Sequence, residues 1–410
     1  MKEEATTKRR FTIAGTGCGL LDYIYGQVDF ESAAFQRCCS NTLGDGGLEP
    51  GKLSFTEDFE AFTGNDLDAT LAEITGGKAV DAVNIGGPSI VALIHAAQIL
   101  NPARFAIRYI GAVGADDEGA ELRRQLARTP LGNATSAELI VKSERTPRTV
   151  VLSDPRFDHG RGERSFINTI GTAGQLAEDD LDAAFFAADL VAFGGTAITP
   201  GLHNRLDRLL ARARKNGAFT VVNTVYDFHA QQQNPTGRWP LGASDDGYRL
   251  TDLLLTDLEE ALRLSGSETL DDALAFFIAQ GVGAVIVTNG SRDVALRIGS
   301  ERYKPCAASR LPVSQAIVAE LAAHPERKGD TTGCGDNFVG GVIADVARQL
   351  EAGAAQIDLT EAIAWGAVSG GLACFSFGGV HYESQPGEKR TMMAPYLASY
   401  RDSLLATEIS

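Results

Sequence analysis

The stretch KGDTTGCGDNF at residues 328–338 places two carboxylates and two glycines directly before a helical pattern. Apolar residues recur every four positions from Phe338 onward, which predicts an amphipathic helix over 336–350. The glycines allow a tight turn into that helix, whose first amide N–H groups have no partner within it. Those amides and the helix dipole together form a site for an anion such as a phosphate group. Asp336, in the first turn, is then either a favourable helix-terminal acid or a general base beside the anion site.

Short apolar runs alternate with amphipathic helical patterns over most of the 410 residues. This rhythm predicts an α/β fold in which a mostly parallel central sheet carries helices on both faces. Residues 22–60, without a clear helix, and residues 137–170, with the β-like segments AELIVK and RTVVLSD, interrupt it. We therefore expect a single domain over 1–410 with a small β-rich lid built from about 22–60 and 137–170, and a surface loop at 231–247. The predicted strands are 11–15, 80–84, 106–113, 189–193, 219–223, 252–256 and 284–288, and the helical patterns include 87–100, 116–127, 199–215, 269–280, 336–350 and 358–374.

The charge balance excludes several classes of partner. With 53 acidic and 37 basic residues the net charge is −16, which repels nucleic-acid backbones and anionic membrane surfaces. No window approaches the ~18 apolar residues of a membrane span. The six cysteines include no C-x-x-C pair, so we expect reduced thiols and a cytoplasmic protein. The N-terminal residues 1–22 imitate a signal peptide, but their apolar run is short and interrupted by glycines, which favours a buried first strand.

Residues 330–336, Asp-Thr-Thr-Gly-Cys-Gly-Asp, resemble the D-T-x-G-A-G-D signature of the ribokinase-like (pfkB) family of carbohydrate and nucleoside kinases. Cys334 takes the place of the usual alanine. Other segments resemble the family in the same order along the chain, so the resemblance covers about residues 10–400. These segments are GTGCGLLDYI, NIGGPSIVALIHAAQIL, YIGAVGADDEG, TPRTVVLSDPRFDHGRGERSF, DLLLTDLEEALRLSG, VIVTNGSRDVAL and FSFGGV.

The resemblance implies a ribokinase-like three-layer α/β/α fold and an ATP-dependent kinase for a hydroxyl of a sugar or sugar-like alcohol. It implies Mg²⁺ as a cofactor, K⁺ as a further cation near Asp330, and a homodimer formed through the lid. Asp336 would be the general base, Mg²⁺ being held by Glu260 through water. The implied anion-hole residues are Gly333, Cys334 and Gly335, the acceptor-binding residues Asp22, Gly86, Gly87 and Arg164, and the nucleotide-binding residues Asp257, Glu260, Thr288, Gly290 and Gly379.

Three departures from the family pattern concern substrate and metal contacts. Val91 stands where the Gly-Gly segment often carries a sugar-binding asparagine, and Asp257 replaces the asparagine of the N-x-x-E segment. About 64 residues separate Asp22 from Gly86, more than compact members of the family need, which predicts an insertion over 27–60 in the lid.

Other motifs have weaker support. GGLEPGK at 46–52 matches a P-loop, but Leu53 replaces the magnesium-binding Ser or Thr and no apolar strand precedes it. GTGCG at 15–19 is only a partial dinucleotide fingerprint. We expect His95 to be a packed core residue and Asp116 to be a helix N-cap. Three alternatives stay open: a nucleoside kinase of the same family, a non-catalytic sugar- or nucleoside-binding member, and a nicotinamide oxidoreductase.

Overall fold

The computed structural model describes residues 9–42, 44–132, 136–160, 162–306 and 309–409, which form two β-sheets and their covering helices. The strands are β1 Phe11–Gly17, β2 Leu20–Tyr25, β3 Leu53–Phe55, β4 Ala82–Gly86, β5 Phe105–Val113, β6 Ala137–Val141, β7 Arg148–Asp154, β8 Glu163–Thr169, β9 Leu190–Gly194, β10 Phe219–Asn223, β11 Leu253–Asp257, β12 Ala284–Thr288, β13 Asp293–Ile298 and β14 Arg310–Pro312. The helices are α1 Ala33–Arg37, α2 Thr56–Thr63, α3 Leu67–Thr75, α4 Pro88–Ile99, α5 Asp117–Leu126, α6 Phe157–Gly160, α7 Ala183–Phe186, α8 Pro200–His203, α9 Leu206–Lys215, α10 Phe228–Gln233, α11 Asp246–Arg249, α12 Leu258–Ser265, α13 Leu270–Ala279, α14 Gln315–Ala323, α15 Cys334–Glu351, α16 Leu359–Ala373 and α17 Glu388–Ile409.

The main sheet has nine strands in the order β14-β13-β12-β11-β10-β9-β1-β5-β6. The strands from β12 to β6 are parallel, whereas β13 and β14 add an antiparallel edge. Central strands such as β9 and β10 are buried along their whole length, because α4, α15 and α16 cover one face and α9, α12 and α13 cover the other. The predicted parallel sheet with helices on both faces is confirmed.

A second, smaller sheet has five strands in the order β3-β8-β7-β2-β4. One face packs on a cluster of its own that includes the stacked rings of Phe30 and Phe35, whose centroids are 4.1 Å apart. Phe59 of α2 and Leu71 of α3 complete this cluster. The segment between β2 and β4 therefore carries a small hydrophobic core, which gives the predicted insertion a fixed structure.

The boundary between the two sheets differs from the prediction. Residues 137–141 form β6, which pairs with β5 at the edge of the main sheet, so their assignment to the lid is wrong. The neighbouring residues Glu138 and Leu139 of β6 are exposed and buried, as expected for an edge strand with one covered face. Conversely, β4 lies outside the segments expected to form the lid, yet it pairs with β2 and belongs to the second sheet. Residues 22–60 also contain α1 and the start of α2, which the sequence patterns did not indicate.

Two local predictions also need correction. The helix expected over 199–215 is interrupted at Asn204 and Arg205, which separate α8 from α9. The expected surface loop 231–247 buries Trp239, whose ring packs on Tyr226 at a centroid distance of 4.6 Å. The tryptophan anchors this loop to the body of the protein, although its flanking residues have a loop-like composition.

His95 and Asp116 lie as expected. His95 is 1% exposed and its Nε2 hydrogen-bonds with Ser369 Oγ at 2.7 Å, while Asp116 caps α5 by accepting from the Gly119 amide. Within the described residues, none of the helices combines the length and the hydropathy that crossing a bilayer requires.

Candidate active site

The turn that leads into α15 is held by backbone contacts which only glycine permits. Gly333, the N-cap of α15, has φ +77°, and a Cβ added there would lie 2.4 Å from Gly379 Cα. The preceding residues are tied to the same loop, since the Gly329 amide donates to Cys374 O at 2.8 Å and the Asp330 amide to Ser376 O at 3.1 Å. The N-terminus of α15 is thus fixed against the 374–379 loop.

The amides at this helix terminus are not all equally available. The Cys334 amide donates a long hydrogen bond of 3.3 Å to Thr331 O, within the turn itself. Gly335 faces open space, because a Cβ added there would have no described atom within 4 Å. The predicted anion site is therefore most open at Gly335, at the positive end of an 18-residue helix.

Asp336 opens onto a large cavity between the two sheets. The cavity measures about 1510 Å³, counting its space open to solvent. Burial raises the pKa of Asp336 to about 6. Seven of the residues predicted from the sequence meet in the lining of this cavity: Asp22, Gly87, Asp257, Glu260, Thr288, Gly335 and Asp336.

Asp22 lies on β2 of the second sheet, with Asn84 on β4 and Thr149 on β7 as its cross-strand neighbours. It is 6% exposed, and burial together with the nearby Asp336 raises its pKa well above the usual range. Gly86 makes room for its carboxylate: a Cβ on Gly86 would lie 2.2 Å from Asp22 Oδ2. Gly87, with φ +107°, then begins α4. The Gly-Gly pair therefore shapes the space around Asp22.

Arg164 connects the second sheet with the turn before α15. It lies on β8, and its Nη1 donates to Thr332 Oγ1 at 3.3 Å. Its guanidinium also lies over the Phe166 ring, 5.1 Å from the ring centroid. The same guanidinium opposes the rise in the pKa of Asp22, which places its positive charge close to that carboxylate. Arg164 is thus a cation close to Asp22 and to the turn before α15.

Asp257 and Glu260 form a capping box at the start of α12, where the Glu260 amide donates to Asp257 Oδ1 at 2.8 Å. Glu260 is 8% exposed and accepts hydrogen bonds from the hydroxyls of Thr224 and Thr256. Burial, with a contribution from the Asp257 charge, raises the pKa of Glu260 to about 8. The two carboxyl groups lie close together, and among the described residues neither forms an ion pair with a lysine, arginine or histidine.

Thr288 ends β12 and Gly290 follows it, and both line a groove of about 750 Å³ that also includes Asp257 and Glu259. Gly290 has φ +55°, as the turn after β12 requires. Because Asp257 and Thr288 line both this groove and the main cavity, the two spaces are neighbours.

Gly379 and Asp330 lie on the other side of the turn. Gly379 packs against Gly333 and Val91 and lines a different cavity, of about 1020 Å³. The buried side chain of Val91 thus fills a space in the core. Asp330 Oδ1 accepts from the Gly378 and Thr332 amides, whereas its buried Oδ2 has no hydrogen-bond partner in the described part of the chain. An orphaned buried carboxylate oxygen is the kind of group that a bound cation satisfies.

Several residues of the main cavity were missed by the sequence reasoning. Lys52 lines it, although the surrounding GGLEPGK was considered only as a P-loop; a strand follows this motif instead of preceding it. Aromatic residues from both sheets also contribute, and their only sequence signal was the aromatic content of the insertion and of the 226–228 segment. The additional lining residues include Leu53, Thr149, Phe166, Asn168, Asn223, Tyr226, Phe228 and Glu259.

In the described ranges, no group of three or more His, Cys, Asp or Glu side chains is arranged to hold a metal ion by itself. A divalent cation at Asp257 and Glu260 would therefore need ligands from a bound molecule or from water.

Several solved structures resemble this one in overall fold. The structure is similar to an adenosine kinase from Schistosoma mansoni in complex with 2-fluoroadenosine, with a TM-score of 0.67 and 17% identity over 90% of this chain and 97% of that one. It is also similar to a probable sugar kinase from Rhizobium etli, with a TM-score of 0.65 and 16% identity over 94% and 99% of the two chains. A ribokinase from Thermotoga maritima matches with a TM-score of 0.59 and 17% identity over 95% and 99%.

These likenesses establish the ribokinase-like α/β fold. The sequence itself matches the family model described as pfkB family carbohydrate kinase over residues 84–385, which is most of the chain. The chain belongs to the pfkB family of carbohydrate kinases.

Proposed function

We propose that this protein is an ATP-dependent phosphotransferase that phosphorylates a hydroxyl of a sugar or sugar-like alcohol. The observation that carries the proposal is the shared cavity: Asp336 and the open amide of Gly335 line the same space as Asp22 of the second sheet. A base, an anion site and an acceptor-binding carboxylate in one cavity are the parts that phosphoryl transfer to an alcohol requires.

In this mechanism Asp336 accepts the proton of the acceptor hydroxyl while its oxygen attacks the γ-phosphoryl group in line. A pKa of about 6 suits a base that works near neutral pH, since the group is ionised yet a stronger base than an ordinary carboxylate. The Gly335 amide and its neighbours at the start of α15 stabilise the charge on the transferring group. Asp22 positions the acceptor by accepting hydrogen bonds from its other hydroxyls.

ATP would lie with its phosphates near Asp257 and Glu260 and extend along the groove at Thr288 and Gly290. Mg²⁺ bound to the phosphates would supply positive charge there, and Asp257 and Glu260 would hold its water ligands. Burial, and then the Asp257 charge, raise the pKa of Glu260, and a cation held beside the pair would favour its ionised form. Gly379 lines a different cavity, which weakens its assignment to the nucleotide.

A monovalent cation such as K⁺ fits at Asp330. Its unpartnered Oδ2 and the carbonyl-rich 374–379 loop supply oxygen ligands. Such an ion would neutralise the buried carboxylate beside the anion site. Turnover that does not change when Na⁺ or Li⁺ replaces K⁺ would contradict this part of the proposal.

The charge of the cavity limits the acceptor. Five carboxyl groups line it, from Asp22, Asp257, Glu259, Glu260 and Asp336, of which Asp22 and Glu260 have raised pKa values that favour the protonated form; the nearby cations include Lys52 and Arg164. An already phosphorylated sugar or a sugar acid would be repelled, so we expect a neutral acceptor.

A nucleoside is the second candidate, and a specific feature favours it. The rings of Phe166, on β8, and of Tyr226 and Phe228, after β10, line the cavity, where they provide flat apolar surfaces for a base attached to the sugar. Closure of the second sheet over the acceptor, and pairing of two copies through that sheet, stay predictions.

A coupled ADP-release assay with Mg-ATP against neutral sugars, polyols and nucleosides tests the proposal, with Asp336→Asn as the matched variant. We expect turnover on one class of acceptor and a loss of at least about 100-fold in kcat for the variant, with ATP affinity nearly unchanged. If no acceptor is turned over but one raises the melting temperature, the protein is a non-catalytic binding member of the family. An absorbance change with NAD(P)H would instead favour the oxidoreductase.

A further inference from the structure

Lys389 is a buried lysine that the proposed chemistry does not use. It lies in the first turn of α17, is 4% exposed, and does not line the cavity at Asp336. Its ammonium donates to Asn337 Oδ1 at 2.8 Å. Burying a lysine costs free energy unless its charge is compensated, so its position calls for a physical explanation.

The surroundings of Lys389 compensate only part of that cost. Glu383 is the nearby opposite charge, and its carboxylate also accepts from the Lys389 backbone amide at 2.9 Å. Burial lowers the pKa values of His95 and His381, and the nearby Lys389 ammonium lowers them further. Burial lowers the pKa of Lys389 to about 7, and both its charged and its neutral form retain N–H donors for Asn337.

The other end of the Asn337 amide hydrogen-bonds to the turn before α15. The residue is completely buried, and its Nδ2 donates to Gly333 O and to Gly379 O, each at 2.8 Å. In its charged form Lys389 has donors and no acceptor, so the ammonium fixes which end of the amide faces it. The Nδ2 end must then face the two glycine carbonyls.

The position of Gly333 O determines the direction of an amide in the anion site. The carbonyl of Gly333 and the N–H of Cys334 belong to one planar trans peptide unit, so fixing the oxygen also fixes the N–H. The next peptide carries the amide of Gly335, a residue that lines the cavity and has open space on the side where a Cβ would lie. A rotation of the 333–334 peptide would therefore break the hydrogen bond from the Cys334 amide to Thr331 O and displace the adjoining peptide, which carries the Gly335 amide of the anion site.

We propose that Lys389 is a positioning residue, which orients the Asn337 amide so that Asn337 holds the 333–334 peptide and the anion-site amides in the productive direction. The proposal rests on the function proposed above. It assigns a role in transition-state stabilisation to α17, none of whose described residues lines the cavity at Asp336.

The first test is Lys389→Met, which keeps most of the side-chain volume and removes the donor. We expect kcat to fall about 10- to 100-fold, somewhat less than the 10²–10³-fold loss for removing an anion-hole donor outright. KM values for ATP and acceptor should change less than about threefold, because the variant affects the transition state more than ground-state binding. Lys304→Met is the matched control: Lys304 is exposed and pairs with Asp358 on the surface, so its kcat should equal that of the wild type.

A second variant covers the case in which Lys389→Met does not fold. Asn337→Asp keeps a partner for the ammonium but replaces the Nδ2 donor by an oxygen that repels Gly333 O and Gly379 O. It should lose at least as much kcat as Lys389→Met. The kcat of the double variant should be no lower than that of the less active single variant, because both changes break the same chain of hydrogen bonds from Lys389 through Asn337 to Gly333.

Amide hydrogen exchange in the ligand-free protein separates this inference from the proposed function, since it requires no turnover. Faster exchange at residues 333–336 in Lys389→Met, but not in Lys304→Met, supports the relay even if no acceptor has been found. Unchanged exchange at 333–336 overturns it. A kcat within twofold of the wild type in both Lys389→Met and Asn337→Asp also overturns it, while leaving the kinase assignment intact.

Discussion

Replacing Gly86 with alanine should damage acceptor binding through one neighbour. Gly86 ends β4, and an added Cβ would lie 2.2 Å from Asp22 Oδ2, where ordinary contacts begin at 3.4 Å. The Asp22 carboxylate must therefore move by about 1 Å, a displacement that in an active site can cost 10²-fold. The φ angle of Gly86 is outside the left-handed region, so the alanine adds no backbone strain.

The size of the effect follows from the hydrogen bonds that Asp22 would lose. A hydrogen bond to a charged group contributes about 1.5–3 kcal/mol, which corresponds to about 10- to 150-fold in kcat/KM for the acceptor. The KM for ATP should stay within about twofold, because Thr288 and Gly290 lie at the other end of the cavity system. The assay is steady-state ADP release with each substrate varied in turn.

Two controls make the result specific. Gly247→Ala, in α11, adds a Cβ whose nearest contacts are an ordinary 3.6 and 3.9 Å, so it should leave both kinetic constants unchanged. Combining Gly86→Ala with Asp22→Ala should be no worse than Asp22→Ala alone, since the carboxylate is then already absent. An unchanged acceptor kcat/KM in a folded Gly86→Ala variant would refute the assignment of Asp22.

Three further outcomes can be measured on the same protein. The kcat should fall about tenfold per pH unit as the pH drops below about 6, because protonated Asp336 cannot accept a proton, and a pH–rate profile without this acid limb would contradict its role as base. Folding raises the pKa of Glu260 from 4.5 to about 8, so its contribution to stability is complete below pH 4.5 and is lost as the pH rises through 8. Between these two pH values the melting temperature of the Mg²⁺-free protein should therefore decline more than that of the Glu260→Gln variant. Equal declines in the two proteins would argue against the shift. Cys334→Ala should keep kcat within about twofold, because the proposed contribution of Cys334 is its backbone amide, whereas a tenfold loss would reveal a role for the thiol that lies 3.4 Å from Cys374 Sγ.

The parts of the fold that could be predicted are those with a local signal. The buried strands β9 to β12 are short continuous apolar runs, and α15 carries a regular apolar face after two glycines. By contrast, β6 and the lid strand β7 look alike in sequence, and only pairing with β5 places β6 in the main sheet. Strand partners are tertiary information, which residue patterns do not contain.

The residues of the candidate site likewise divide into those with a local sequence signal and those without one. Asp336 and Asp22 were identified because they lie in motifs with fixed spacing, and both line the cavity. Lys52 lies in a motif that suggested a different chemistry, and it reaches the cavity only because β3 pairs with β8. Lys389 has no motif at all, since its role depends on a contact with Asn337 that is 52 residues away in sequence.

The position of β1 has a consequence for how the protein is made. This first strand lies in the middle of the main sheet, pairing with β5 on one side and with β9, at residues 190–194, on the other. At ribosomal rates of about 5–20 residues per second, β1 must wait roughly 10–40 s before its second neighbour has been synthesised. Until then its apolar residues have only a partial sheet to join, which exposes the nascent chain to aggregation and to chaperone binding. Removing β1 by N-terminal truncation would accordingly divide the main sheet into two separate groups of strands, because β1 joins β9 to β5.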